Sequence, residues 1–212
     1  METIEAKRTL FSKVGKSRTI HVFLFFFFFS LLPIDSIAQA FQEIIGGYSG
    51  TILDEGRSIH QTADGGYVIT GRTTLGVGGS CGMPCHDIYL VKTDGNGAVS
   101  WTKTYGGAGD DWGISVRQTS DFGYIVTGWT DSFGAGGMDV YLVKTDANGD
   151  TLWTKTYGGA TDDYAESVEQ TADGGYIITG ATNSFGAGGV DAYLLKTDAN
   201  GDTTWTRTFG GV

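Results

Sequence analysis

The chain is poor in several residue types. Its 212 residues include two prolines, two cysteines and three histidines. Two cysteines cannot staple a disulfide-dense miniprotein. There are 35 glycines, roughly one residue in six, but they follow no G-X-Y period, so collagen is excluded. Positive charge is scarce as well, with 14 Lys and Arg against 24 Asp and Glu. What the chain does hold is 40% hydrophobic and 13% aromatic residues, too many for a disordered polymer.

Residues 1–40 read as a secretory signal. Lys7, Arg8, Lys13, Lys16 and Arg18 form a basic stretch, and an apolar run from Val22 to Leu32 follows, with phenylalanine at every position from Phe25 to Phe29. Ala38-Gln39-Ala40 supplies the small-x-small cleavage pattern, which places the cut after Ala40. A membrane anchor would need about 20 apolar residues, and this run is broken by Ser30, Pro33 and Asp35. No cysteine stands at the cut, so a lipid anchor is not expected. The chain is therefore expected to be secreted or held at the cell surface, and not membrane-spanning after cleavage. The mature part keeps 9 of the 14 basic and 21 of the 24 acidic residues, a net charge of −12. Nucleic acid requires a basic stripe, so no nucleic-acid partner is expected.

Everything after the leader repeats. Trp101, Trp153 and Trp205 stand 52 residues apart. The stretch WTKTYGGAGDDWGISVRQTSDFGYIVTGW returns as WTKTYGGATDDYAESVEQTADGGYIITGA, and an earlier copy carries five extra residues between Gly71 and Asp87. Fixed periods of this size mark propellers, solenoids or arrays. Each unit reads as four short strands. ISVRQT is closed by Ser120-Asp121-Phe122-Gly123, GYIVTGWT follows, then the glycine-rich SFGAGGMD loop leads into VYLVKT, a run suited to burial on both faces. Asp146-Ala147-Asn148-Gly149 is a hairpin turn. In the last run Trp153, Lys155 and Tyr157 alternate with threonines. No helix is expected beyond the leader. The layout predicts an all-β, β-propeller-type repeat with four-stranded antiparallel blades. The repeats fall at about 59–105, 114–157 and 168–209 within a domain spanning 41–212. A β-solenoid is the rival architecture.

GGAGDDWGISVRQTSDFGYIVTGWTDSFG resembles the bacterial β-propeller repeat called SBBP. KTDANGDTLW is similar to the tryptophan-docking segment of quinoprotein propellers, one residue shorter in its turn. The resemblance covers about residues 44–212 and implies a propeller fold in which Trp101, Trp153 and Trp205 stack between repeats. It implies little about activity, because propellers host many functions. Propellers close with about 4–8 blades, and Ile44–Tyr48 looks like the last strand of a further blade. Three full units therefore point first to a fragment, then to closure by self-association, and last to an open three-blade stack with exposed edges.

Candidate chemistry is sparse. Asp146, Asn148 and Asp150 alternate as calcium ligands do, and so do Asp198, Asn200 and Asp202. Calcium wants six to eight oxygens, and Asx turns account for the same residues. Asp110-Asp111 and Asp162-Asp163 are expected to cap or turn. Cys81 and Cys85, in CGMPCH, are expected to form a local disulfide; the spacing is one residue too long for a haem-attachment motif, and with His86 it gives a zinc site one ligand short. The GAGG loops precede strands rather than helices, so phosphate binding is not expected. No catalytic, cofactor-binding or metal-binding residue is assigned. The expected function is an exported non-catalytic propeller module that binds an unidentified protein or glycan. The alternative is a piece of a secreted propeller enzyme, of glycoside hydrolase or quinoprotein type, whose active residues lie elsewhere. The expected binding face is the loop between second and third strands, with Phe133 and Phe185 near it.

Overall fold

β-Branched and aromatic residues alternate with turn formers along each unit, and they resolve into twelve strands. The structure is a computed structural model that describes residues 54–74 and 85–211. All of these belong to the unit Pro33–Val212. The leader and its cut, the Ile44–Tyr48 strand and Cys81 lie outside the described residues.

The first sheet comprises β1 (Asp54–Gln61), β2 (Tyr67–Thr73), β3 (Asp87–Thr93) and β4 (Val99–Tyr105). The second comprises β5 (Asp111–Gln118), β6 (Tyr124–Thr130), β7 (Asp139–Thr145) and β8 (Thr151–Tyr157). The third comprises β9 (Asp163–Gln170), β10 (Tyr176–Thr182), β11 (Asp191–Thr197) and β12 (Thr203–Phe209). Every neighbouring pair is antiparallel and the spatial order equals the chain order. The described residues contain no helix, and so none long and apolar enough to cross a membrane. The described residues are all-β and form three equivalent four-stranded sheets.

The sheets stack face to face through two apolar layers. Val68, Ile88 and Leu90 of the first meet Val116, Tyr124 and Val126 of the second. Ile125, Val140 and Leu142 of the second meet Val168, Tyr176 and Ile178 of the third. The middle sheet is covered on both sides, so β7 is buried at every position. Each buried aliphatic side chain contributes about 1.5–3 kcal/mol, which is why a sheet with two apolar faces needs a neighbour on each.

The first strand of each unit begins earlier than its apolar run. β5 starts at Asp111, not Ile114, because a β-bulge lies between Gly113 and Ser115; the same irregularity interrupts β1 between Gly56 and Ser58. The extra residue breaks the period of two on which strand recognition rests.

Candidate functional site

Each sheet has two ends. At the proximal end, first and third strands begin and second and fourth strands finish. At the distal end lie the tight hairpins. Most of the distal end is repeated turn chemistry. Asp146 Oδ1 accepts the backbone N–H groups of Asn148 and Asp150, both at 2.8 Å, and Asp150 pairs with Lys103 at 2.7 Å. Asp198 does the same for Asn200 and Asp202, each at 2.9 Å. The candidate calcium residues are thus engaged as Asx turns, which lowers the carboxyl pKa of Asp146, chiefly through the Asp150 N–H. Among the described residues, no group of three or more His, Cys, Asp or Glu is placed to hold a metal ion.

The three tryptophans are treated differently by the fold. Trp101 stands edge-on to Tyr124 at 5.7 Å, and Trp153 to Tyr176 at 5.9 Å, each across a sheet–sheet junction. Trp205 is 36% exposed, with the Arg207 guanidinium 5.7 Å from its ring. Beside Trp101, Tyr105 donates its hydroxyl to the Gly149 carbonyl of the next sheet at 2.7 Å. Burial pushes the Tyr105 phenol well above its ordinary range.

The proximal end departs from repetition. The residue after each opening aspartate is Glu55, Trp112 or Tyr164, and the penultimate residue of each second strand is Arg72, Trp129 or Ala181. These positions meet. Trp112 stacks on Trp129 with ring centres 4.9 Å apart and planes 26° from parallel. The Arg72 guanidinium lies 3.7 Å from the Trp112 ring centre and Arg57 lies at 5.4 Å, and both arginines pair with Glu55 at 2.8 and 2.9 Å. Tyr164 stands edge-on to Trp129 at 6.4 Å, and His86 is edge-on to Trp112 at 5.9 Å. All three sheets contribute to this half-buried cluster. Stacked aromatics and cation–π pairs each add about 0.5–1.5 kcal/mol beyond burial. The bulges immediately follow Glu55 and Trp112 and re-aim these side chains, as bulges near sites do. The Trp112 indole N–H is buried and donates to no acceptor among the described residues.

Below the cluster lie paired carboxylates. Asp111 is fully buried; it accepts the Gly107 N–H at 2.8 Å and the Ser132 hydroxyl at 2.7 Å. Asp87 Oδ1 and Asp111 Oδ2 both lie within 2.6 Å of the point a Gly106 Cβ would occupy, so two carboxylates crowd one glycine. Asp139 and Asp163 crowd Gly158 likewise. Burial raises the carboxyl pKa of Asp111, and burial and then the Asp163 charge raise that of Asp139. Asp110 accepts the His86 ring nitrogen at 2.8 Å. Ser132 is bonded to Asp111 rather than to His86, so this Asp–His pair does not line up a serine nucleophile.

The expected disulfide involves Cys81, which is outside the described residues; Cys85 is disulfide-bonded. Phe133 and Phe185 sit at the proximal end, each 44% exposed and tilted against Tyr141 and Tyr193. Asp110 and Asp162 accept the N–H groups of His86 and Met138, which directly precede the third strand of the preceding sheet. Asp111 and Asp163 are instead the first, fully buried residues of their strands. The Trp112–Trp129–Arg72 cluster was missed from sequence. Its signal was there: these columns are among those that change chemistry between the copies.

No family profile matches the chain. It is 24% identical over 201 residues to a protein of Caulobacter vibrioides named "Regulatory protein FlaEY". That alignment takes in 82% of this chain and 20% of the relative, so the chain spans about a fifth of that protein's length.

Proposed function

We propose that this chain is an exported, non-catalytic β-propeller repeat module, which binds a protein or glycan partner at the cell surface or outside the cell. Its three stacked four-stranded sheets support the blade reading. The observation that carries the functional reading is the proximal cluster. A repeat scaffold keeps its packing residues and varies its recognition residues, and the positions at which Trp112, Trp129, Tyr164, Arg57 and Arg72 meet are among those that vary between the copies. Trp, Tyr and Arg are the residue types enriched at binding hot spots. Regulation, which the Caulobacter relative's name states of that protein, is work a binding module can do.

The test is binding of the purified chain to an array of neutral and acidic oligosaccharides, together with capture of surface proteins from the producing cells. A Trp112→Ala, Trp129→Ala double variant is expected to lose at least ten-fold in affinity with its sheet content intact. No retention by wild type on either probe, or equal retention by the double variant, overturns the reading. Export is checked by N-terminal sequencing of secreted material, which is expected to begin at Phe41.

A further inference from the structure

Phe122 breaks the repeat at the distal end. It stands at φ +64° in the turn between β5 and β6, where the corresponding turns of the first and third sheets hold Gly65 and Gly174. Backbone strain of this kind clusters at binding sites, where the surroundings hold it in place. Burial does not account for the ring, which is 61% exposed. The ring instead helps to wall a hollow of about 430 Å³ at the junction of the first and second sheets. Trp101 and Tyr124, edge-on to each other, add aromatic surface, and Asp64, Lys92 and Gln118 add polar atoms. Lys92 pairs with Asp64 at 2.9 Å, so the two charges cancel. Hydrogen bonds from Thr62 and then Lys92 keep the Asp64 carboxyl ionised, and its side chain is 64% exposed, open to further donors. Gln118 fixes the wall: its Oε1 accepts the Ala63 N–H at 2.8 Å and its Nε2 donates to the Phe122 carbonyl at 3.3 Å. The turn that carries Phe122 is thereby tied to the turn of the first sheet before any ligand arrives.

We propose that this hollow is a further binding site, which takes a pyranose ring of a neutral glycan. Small-molecule sites span about 300–1,000 Å³ and set a few polar groups among aromatic walls, and the hollow has both the size and the mixture. A pyranose presents C–H bonds on its faces, which pack on aromatic rings, and hydroxyl groups at its edge, which donate to a carboxylate and exchange hydrogen bonds with an amide. Phe122 and Trp101 supply the first kind of surface, and Asp64 and Gln118 the second. With the Asp64 charge cancelled by Lys92, the hollow favours neither an anion nor a cation. The second junction is a control built into the same chain. Asp121 with Lys144, Gln170, and Trp153 with Tyr176 repeat the polar set and the aromatic pair, but Gly174 stands where Phe122 does and supplies no wall. The site lies at the opposite end of the sheets from the Trp112 cluster and does not rest on what that cluster binds.

The test is saturation-transfer NMR with maltose, cellobiose, lactose and diacetylchitobiose as probes, and with N-acetyl-phenylalanine amide as an apolar peptide probe. Phe122→Gly removes the wall and relieves the strained turn, so the variant is expected to fold at least as well as wild type. Wild type is expected to bind one or more of the sugars, with transfer strongest to the C–H protons of one ring face. Phe122→Gly is expected to bind that sugar about ten-fold more weakly, the loss of one aromatic contact. The Trp112→Ala, Trp129→Ala double variant is expected to bind it as wild type does. No binding of any of the sugars overturns the proposal, as does equal affinity in wild type and Phe122→Gly. Binding that vanishes in the double variant would put the sugar at the proximal end and overturns it too. Phe122-dependent binding of the peptide probe without any sugar would make the hollow an apolar peptide site, and the assignment to a glycan falls.

Discussion

Phe122 has φ +64°, the one positive value outside glycine among the described residues. Gly65 and Gly174 hold the same turn position at φ +83° each. A left-handed conformation costs an L-residue about 1–2 kcal/mol. The ring recovers little of this by burial, being 61% exposed beside two hollows of about 430 Å³ each. Phe122→Gly is expected to raise the unfolding free energy by about 1 kcal/mol in urea titration, the added freedom of glycine in the unfolded chain offsetting part of the relief. The buried aspartates make a second prediction at this scale. Asp111 and Asp139 have raised folded pKa values, so the folded chain holds these protons more tightly than the unfolded one. Their destabilising effect is absent below the ordinary aspartate value of about 4 and grows as pH rises through the raised values. Asp64 and Asp173 act in the opposite sense. Hydrogen bonds from Thr62 and Thr171, then from Lys92 and Lys196, hold their carboxyls below the usual range, so their stabilisation is present above about pH 4 and lost below it. Asp111→Asn is expected to raise the melting temperature at pH 7, with the gain shrinking toward pH 4 in calorimetric scans. A gain that does not depend on pH would show that charge at Asp111 is not the cause.

At the scale of the element, the bulged first strand and the glycine opposite it form one device. A Cβ on Gly71, Gly128 or Gly180 would lie 1.6, 1.7 or 1.8 Å from the carbonyl oxygen of Glu55, Trp112 or Tyr164. The backbone of the second strand can approach the bulge that closely only without a side chain. Gly128→Ala is expected to cost about 3 kcal/mol or more, because the clash is with backbone and the middle sheet is covered on both faces; guanidinium unfolding monitored by tryptophan fluorescence reads it. A loss under about 1 kcal/mol would mean that the bulge yields. The four-strand rhythm and the Asx hairpins were legible in sequence because turn residues and apolar runs are local signals. The early strand starts at Asp54, Asp111 and Asp163 were not, because an aspartate beside a bulge looks like a loop residue in a linear pattern, even where, as at Asp111 and Asp163, it is buried and hydrogen-bonded.

For the whole molecule, stability is distributed by position in the stack. Among the described residues the second sheet has a neighbouring sheet on both faces and the first and third have one each, so local opening should follow that order. Amide hydrogen exchange is expected to be slowest in β6 and β7 and fastest in β1 and β12. Equal protection of β12 and β8 would overturn that order.

The order of strands, the repeat, the turns and the two-sided apolar character of VYLVKT were determined by the sequence alone, because each depends on residues within one unit. Which face of which sheet is covered, the crowding of Asp87 with Asp111, and the meeting of Glu55, Arg72, Trp112, Trp129 and Tyr164 were decided only in three dimensions. Those residues are separated by whole repeats, and it is the stacking of one sheet on the next that brings equivalent strand ends to a common edge, where small departures from the repeat become a cluster.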